Sequence, residues 1–234
     1  MSLRNRILWL VVFGVAMGYL ETAVVVYLRQ LYYPQGFGFP LVPLSPEVGL
    51  VEILREAATL VMLAGLAMLS GHNARQRLAF FLLAFAIWDL SYYVFLKLLL
   101  NWPASWLTWD ILFLIPVPWI GPVLSPVIVS FSMIAMASVI LRCEILGISM
   151  NLGWRSWSLL LSGCLLIVVT WMWDYIAFSG GIIDSPERAL AVLATYVPHH
   201  FNWWLFSVGE GFIIAGIIML RIPAGRLTAT IYNA

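Results

Sequence analysis

The sequence predicts an all-α fold: a polytopic membrane helix bundle of six transmembrane helices, with a proline-broken or re-entrant segment before the fourth. Three observations carry this reading. Hydrophobic residues make up 63% of 234 positions and charged residues only 10%, whereas an ordinary soluble domain has about 25% charged. Mean hydropathy is +0.97. Apolar runs able to cross a hydrocarbon core of about 30 Å recur along the chain, so residues 1–234 read as a single integral membrane domain.

The spans fall at about Ile7 to Leu28, Pro46 to Ser70, Leu78 to Leu98, Ile120 to Leu141, Trp157 to Phe178 and Phe201 to Leu220. They are predicted as helices because lipid offers exposed backbone groups no partner, and because the runs lack the alternation of a membrane barrel. Arg4 and Arg6 precede the first run as in a signal peptide. The run continues to about Leu28 without a small-x-small cleavage site, which makes it a retained helix.

The second span opens on "SPE", Ser45 to Glu47. Ser suits the N-cap, Pro the first helical position, and an acid in the first turn faces the positive end of the helix dipole. The same triplet at Ser185 to Glu187 predicts a short surface helix through "PERALAVLATY", ended by Pro198. The connection "RQLYYPQGFGFPLVPLSP" is rich in Pro, Gly and aromatics and is expected at the membrane interface.

Before the fourth span, Asn101 to Pro126 reads "NWPASWLTWDILFLIPVPWIGPVLSP", with Pro116, Pro118, Pro122 and Pro126 each lacking a backbone donor. A regular helix is not expected there. The segment is either a broken or re-entrant helix covered by protein, or an interfacial loop leading into the span.

Eight of the twelve basic residues (Arg4, Arg6, Arg75, Arg77, Arg142, Arg155, Arg221, Arg226) fall on one side of six alternating spans. The positive-inside rule makes that side cytoplasmic, with both termini inside a cell (inner) membrane. Arg29 and Arg188 then belong to outer connections, and Arg55 and Lys97 to outer helix ends.

The acids gather in the outer half. Glu52, Arg55, Glu56 and Thr59 follow a 3, 4, 3 progression and make one polar stripe; Asp89, Tyr93 and Lys97 make another at intervals of four. His200, Trp203, Ser207 and Glu210 make a third. Glu21 shares a side of the first span with Gly14 and Gly18, whose size admits a close neighbour. Charged stripes facing lipid are costly, so these should meet one another or a wet cavity.

Glu21, Glu52, Glu56, Asp89, Asp110, Asp174 and Glu210 are seven carboxylates facing two bases, Arg55 and Lys97. Protonation, a histidine, a metal ion or a cationic ligand would offset the excess. His199, His200 and Glu210 are the candidate metal ligands. A haem held across two spans would need a second membrane-depth histidine, and His72 lies in a cytoplasmic loop. Cys143 and Cys164 lack metal-ligand spacing. Most of the twelve tryptophans fit an aromatic belt, with Trp88 and Trp203 placed to offer a cation a ring face.

The expectation is an acidic, aromatic-lined chamber open to the extracytoplasmic side that binds a metal ion or organic cation as receptor or transporter. The alternatives are a membrane-embedded enzyme acting on a lipid or isoprenoid through carboxylate or histidine acid–base or metal chemistry, and a structural subunit of a larger membrane complex. The expected partners are the lipid bilayer, a small cationic or lipid ligand, and partner membrane subunits. A formal net charge of +1 gives no reason to expect nucleic acid. Phosphate-loop, His-Glu-x-x-His, Gly-x-Ser-x-Gly and Cys-x-x-Cys-His signatures are absent.

Overall fold

A computed structural model describes residues 2–148, 150, 153–180 and 191–220. It is mostly helical. Five helices are long and apolar enough to cross a membrane: α1 (Leu3–Tyr32), α2 (Pro46–Ser70), α3 (Ala74–Leu100), α4 (Leu124–Ile145) and α5 (Trp154–Phe178). A shorter apolar helix, α6 (Trp203–Met219), has 17 residues and covers about 25 Å.

The segment before α4 contains no helix. It is a two-stranded antiparallel hairpin, β1 (Trp109–Phe113) and β2 (Trp119–Pro122), with Asp110 opposite Gly121 and a register shift between Ile111 and Phe113. The chain therefore starts α4 at Leu124 rather than Ile120, because Ile120 to Pro122 are paired with β1. Clustered prolines between the strands are compatible with a turn and not with a helix interior.

α3 is the centre of one group, packed against α1, α2 and α4, and α6 links α4 to α5. Glycines set the tightest contacts. A Cβ on Gly18 would lie 2.6 Å from Ser91 Cβ and 2.8 Å from Trp88 O, so only glycine lets α1 lie this close to α3. A Cβ on Gly163 would lie 2.7 Å from Gly209 O, which joins α5 to α6 in the same way.

At one end of the bundle, Arg6 donates to Ser70 O at 2.7 Å, while Asn73 and Gln76 donate to Glu144 Oε2 at 2.9 and 3.1 Å. These bonds gather the start of α1, the end of α2, the start of α3 and the end of α4. Ser45 caps α2 as the sequence predicts, with Pro46 in its first turn. Asn73 caps α3. Of the predicted surface helix, residues 186–190 lie outside the described residues and 191–193 are helical.

Two clusters of apolar side chains complete the frame. Leu10, Leu63, Phe80 and Ile140 belong to a dry core toward the Arg6 end. At the other end, Leu41 from the α1–α2 connection is buried with Ile120, Tyr175, Leu193 and Tyr196, so that connection packs on protein. Trp119 of β2 stacks on Trp171 of α5, with centroids 5.5 Å apart and planes at 23°. Trp171 Nε1 donates to Ser125 Oγ at 2.9 Å, and Ser125 donates to Pro122 O at 2.8 Å. The hairpin is thereby fastened to α4 and α5.

Candidate functional site

A cavity of about 160 Å³ opens between α1, α2 and α3, away from the end that carries Arg6, and the hairpin and the α1–α2 connection wall its sides. Its polar lining comes from every one of these elements. Each charged group can be traced to the local rule that points it inward.

Glu52, Arg55, Glu56 and Thr59 line the cavity together, since their 3, 4, 3 spacing puts them on one face of α2. Arg55 joins two helices. Its Nε and Nη2 donate to Glu52 Oε2 at 2.9 and 2.7 Å, and its Nη1 donates to Glu21 Oε1 of α1. Arg55 thus offsets Glu21 and Glu52 at once.

Glu56 has no arginine of its own. One carboxylate oxygen, Oε2, accepts from the backbone N–H of Leu114, just beyond β1, at 2.8 Å. Asp89 on α3 is likewise held by a neutral donor, with Ser130 Oγ of α4 donating to its Oδ2 at 2.8 Å. Among the described residues, neither Glu56 nor Asp89 forms a salt bridge. Trp88, next to Asp89 in the lining, has a buried Nε1 with no hydrogen-bond partner.

Near the mouth, Tyr93 donates to Asp110 Oδ2 at 3.2 Å. Arg29 Nη2 stands 3.8 Å from Asp110 Oδ1, and its guanidinium packs against the rings of Phe37 and Trp102, at 4.3 and 4.0 Å from their centroids, the two rings being perpendicular to each other. Burial pushes the Asp110 carboxyl up to about 6, against the opposing pull of Arg29, the Tyr93 hydroxyl and the Ile111 N–H. Asp110 lies on the hairpin opposite Gly121 and is buried, with its carboxylate directed to Tyr93 of α3 and Arg29 of α1.

Of the residues picked out by sequence, the cavity brings together Glu21, Glu52, Arg55, Glu56, Asp89, Tyr93 and Asp110. Others lie elsewhere. Lys97 is exposed and donates to Asn101 O and Pro103 O at 3.4 and 3.0 Å, so it closes the end of α3 instead of extending the Asp89–Tyr93 stripe. Asp174 accepts from Tyr196 on the far side of the hairpin. Glu210 is buried against α4, where its Oε2 accepts from Ser132 at 2.7 Å.

Trp203 packs on Phe201 and Phe206, and His199 and His200 are exposed. Among the described residues no three His, Cys, Asp or Glu are grouped to hold one metal ion. The tryptophans divide between roles: Trp106, Trp173 and Trp204 are exposed as a belt would have them, whereas Trp171 is buried.

Arg29 is the residue that sequence reasoning placed wrongly. It belongs to the last turn of α1 and is buried, not part of an exposed connection. A signal was present. Glu21, Val25, Leu28, Arg29 and Tyr32 all line the cavity and follow helical spacing along one side of α1. Compared with protein families, curated proteins and solved structures, the chain matches none.

Proposed function

We propose that this is an integral membrane protein whose cavity binds a small organic cation from the extracytoplasmic side. The observation that carries the reading is the pair Glu56 and Asp89: two carboxylates that line one cavity and are held by neutral donors rather than by an arginine. An ammonium group would offset their charge where water is scarce, and the aromatic lining offers it ring faces. The absence of a three-ligand group among the described residues favours an organic cation over a metal ion.

With α6 as a sixth membrane-crossing helix beside the five long ones, the positive-inside rule applied to Arg4, Arg6, Arg75, Arg77, Arg142 and Arg155 puts the Arg6 end in the cytoplasm. In that orientation the cavity faces outward. Below Asp89 lies the packed apolar core of Leu10, Leu63 and Phe80, which supports a one-sided, receptor-like pocket over a through-pathway.

The test is binding of n-alkylamines, from n-butylamine to n-octylamine, to purified protein by titration calorimetry. Glu56→Gln and Asp89→Asn should each weaken binding about tenfold or more. Unchanged affinity in both variants would overturn the reading.

A further inference from the structure

Resting on that cation-binding reading, we propose that Arg29 gives the same cavity an anion-binding pole, so that its ligand is a zwitterion with an ammonium toward Asp89 and Glu56 and an oxyanion at Arg29. The guanidinium is nine-tenths buried, with 9% of its side chain exposed. Among the described residues it makes no hydrogen bond. Its Nε is buried without a partner, and its nearest carboxylate oxygen, on Asp110, is 3.8 Å away. A charge-assisted N–H···O bond is about 2.7–2.9 Å long.

Leaving a buried cation's donors unmade is costly, so an acceptor is missing from this arrangement. The geometry says what kind. Phe37 and Trp102, with their planes at 89° to each other, pack on the guanidinium from two adjacent sides and supply no acceptor oxygen for its five N–H groups. The unpaired donors match the two oxygens of a carboxylate or a phosphate, which Arg binds in a bidentate fork. Asp110 is poorly placed to serve, because its other oxygen is engaged by Tyr93.

The two poles lie at different depths. Gly18 packs against Trp88 and Ser91, which sets the level of Asp89 on α1, and Arg29 follows three turns later. The backbone levels differ by about 16 Å, and the inward-reaching side chains shorten that gap. An elongated ligand with charge at each end fits this layout better than a compact one.

The experiment compares straight-chain ω-amino acids, from γ-aminobutyrate to ω-aminocaprylate, with n-alkylamines of equal length on the purified full chain. At least one amino acid should bind about tenfold tighter than its amine. Arg29→Gln should bring that ratio to about one, with the melting temperature in detergent showing that the variant is folded. Arg29→Lys should lose most of the preference although the charge is kept, because the planar fork is gone.

Amines that bind as well as or better than every amino acid, or a preference unchanged in both variants, would leave Arg29 hydrated only and overturn the proposal while the cation reading stands. Binding of neither series would overturn both. A parallel arm with dihexanoylphosphatidylethanolamine identifies the source of the zwitterion. Tighter, Arg29-dependent binding of that lipid assigns a lipid headgroup, and tighter binding of the free amino acid assigns a soluble ligand.

Discussion

The carboxylate of Glu56 accepts the backbone N–H of Leu114 at 2.8 Å, so one side chain of α2 holds the hairpin against the helices. This N–H lies beyond the last β1–β2 pair, where the sheet leaves it without a strand partner. Glu56 therefore has two roles, structural through Oε2 and electrostatic through its charge. They can be separated.

Glu56→Ala should destabilise the protein by about 1–3 kcal/mol, the cost of leaving a partly buried donor unpaired. Glu56→Gln keeps an acceptor oxygen and should melt close to the wild type while losing amine binding. Thermal melting in detergent, alongside calorimetry, checks both halves. Equal melting of the alanine variant and the wild type would show that the Leu114 bond is dispensable.

Arg55 bridges Glu21 and Glu52 from two helices. Replacing it by methionine strands two carboxylates in a poorly solvated site, at a cost of about 3–5 kcal/mol. Adding Glu21→Gln and Glu52→Gln to Arg55→Met should recover much of that loss, since no uncompensated charge is left. A triple variant as unstable as the single one would mean that Arg55 acts through packing instead.

Gly18→Ala forces a methyl group to within 2.6 Å of Ser91 Cβ and 2.8 Å of Trp88 O. Separation of α1 from α3 should cost about 1–3 kcal/mol and widen the cavity floor. Gly65 has nothing within 4 Å of a built Cβ, so Gly65→Ala is the control. It should be stabilising by up to about 1 kcal/mol through helix propensity. Melting temperatures moving in opposite directions are the expected result.

Asp110 has an ordinary pKa of 3.8, raised to about 6 by burial in the folded protein. The folded state therefore holds this proton more tightly than the unfolded chain does. Stability from this group is greatest below pH 3.8, falls as pH rises and levels off above about 6, a change of about 3 kcal/mol. Asp110→Asn should flatten that slope between pH 4.5 and 7 (roughly the titration window), measured as melting temperature against pH. A slope unchanged in the variant would assign it to other groups.

The apolar helices were legible because hydropathy and helix capping are local. Ser45 marked the start of α2 to the residue, and the 3, 4, 3 spacing put Glu52, Arg55, Glu56 and Thr59 on one wall of the cavity. Lys97 shows where periodicity misleads. It continues the Asp89–Tyr93 series at the right interval, yet it lies in the last turn of α3, where free carbonyls compete for its ammonium.

Composition and spacing alone determined that this chain makes long apolar helices, and which acids share a helix face, because both depend only on residues a few positions apart. Tertiary structure decided the rest. The proline-rich segment became a hairpin by pairing Asp110 with Gly121 and binding Glu56, far away in sequence. Arg29 became a cavity wall because Phe37 and Trp102, from two different connections, pack against its guanidinium. Those outcomes are set by contacts between distant segments, and no local pattern encodes which segment will arrive.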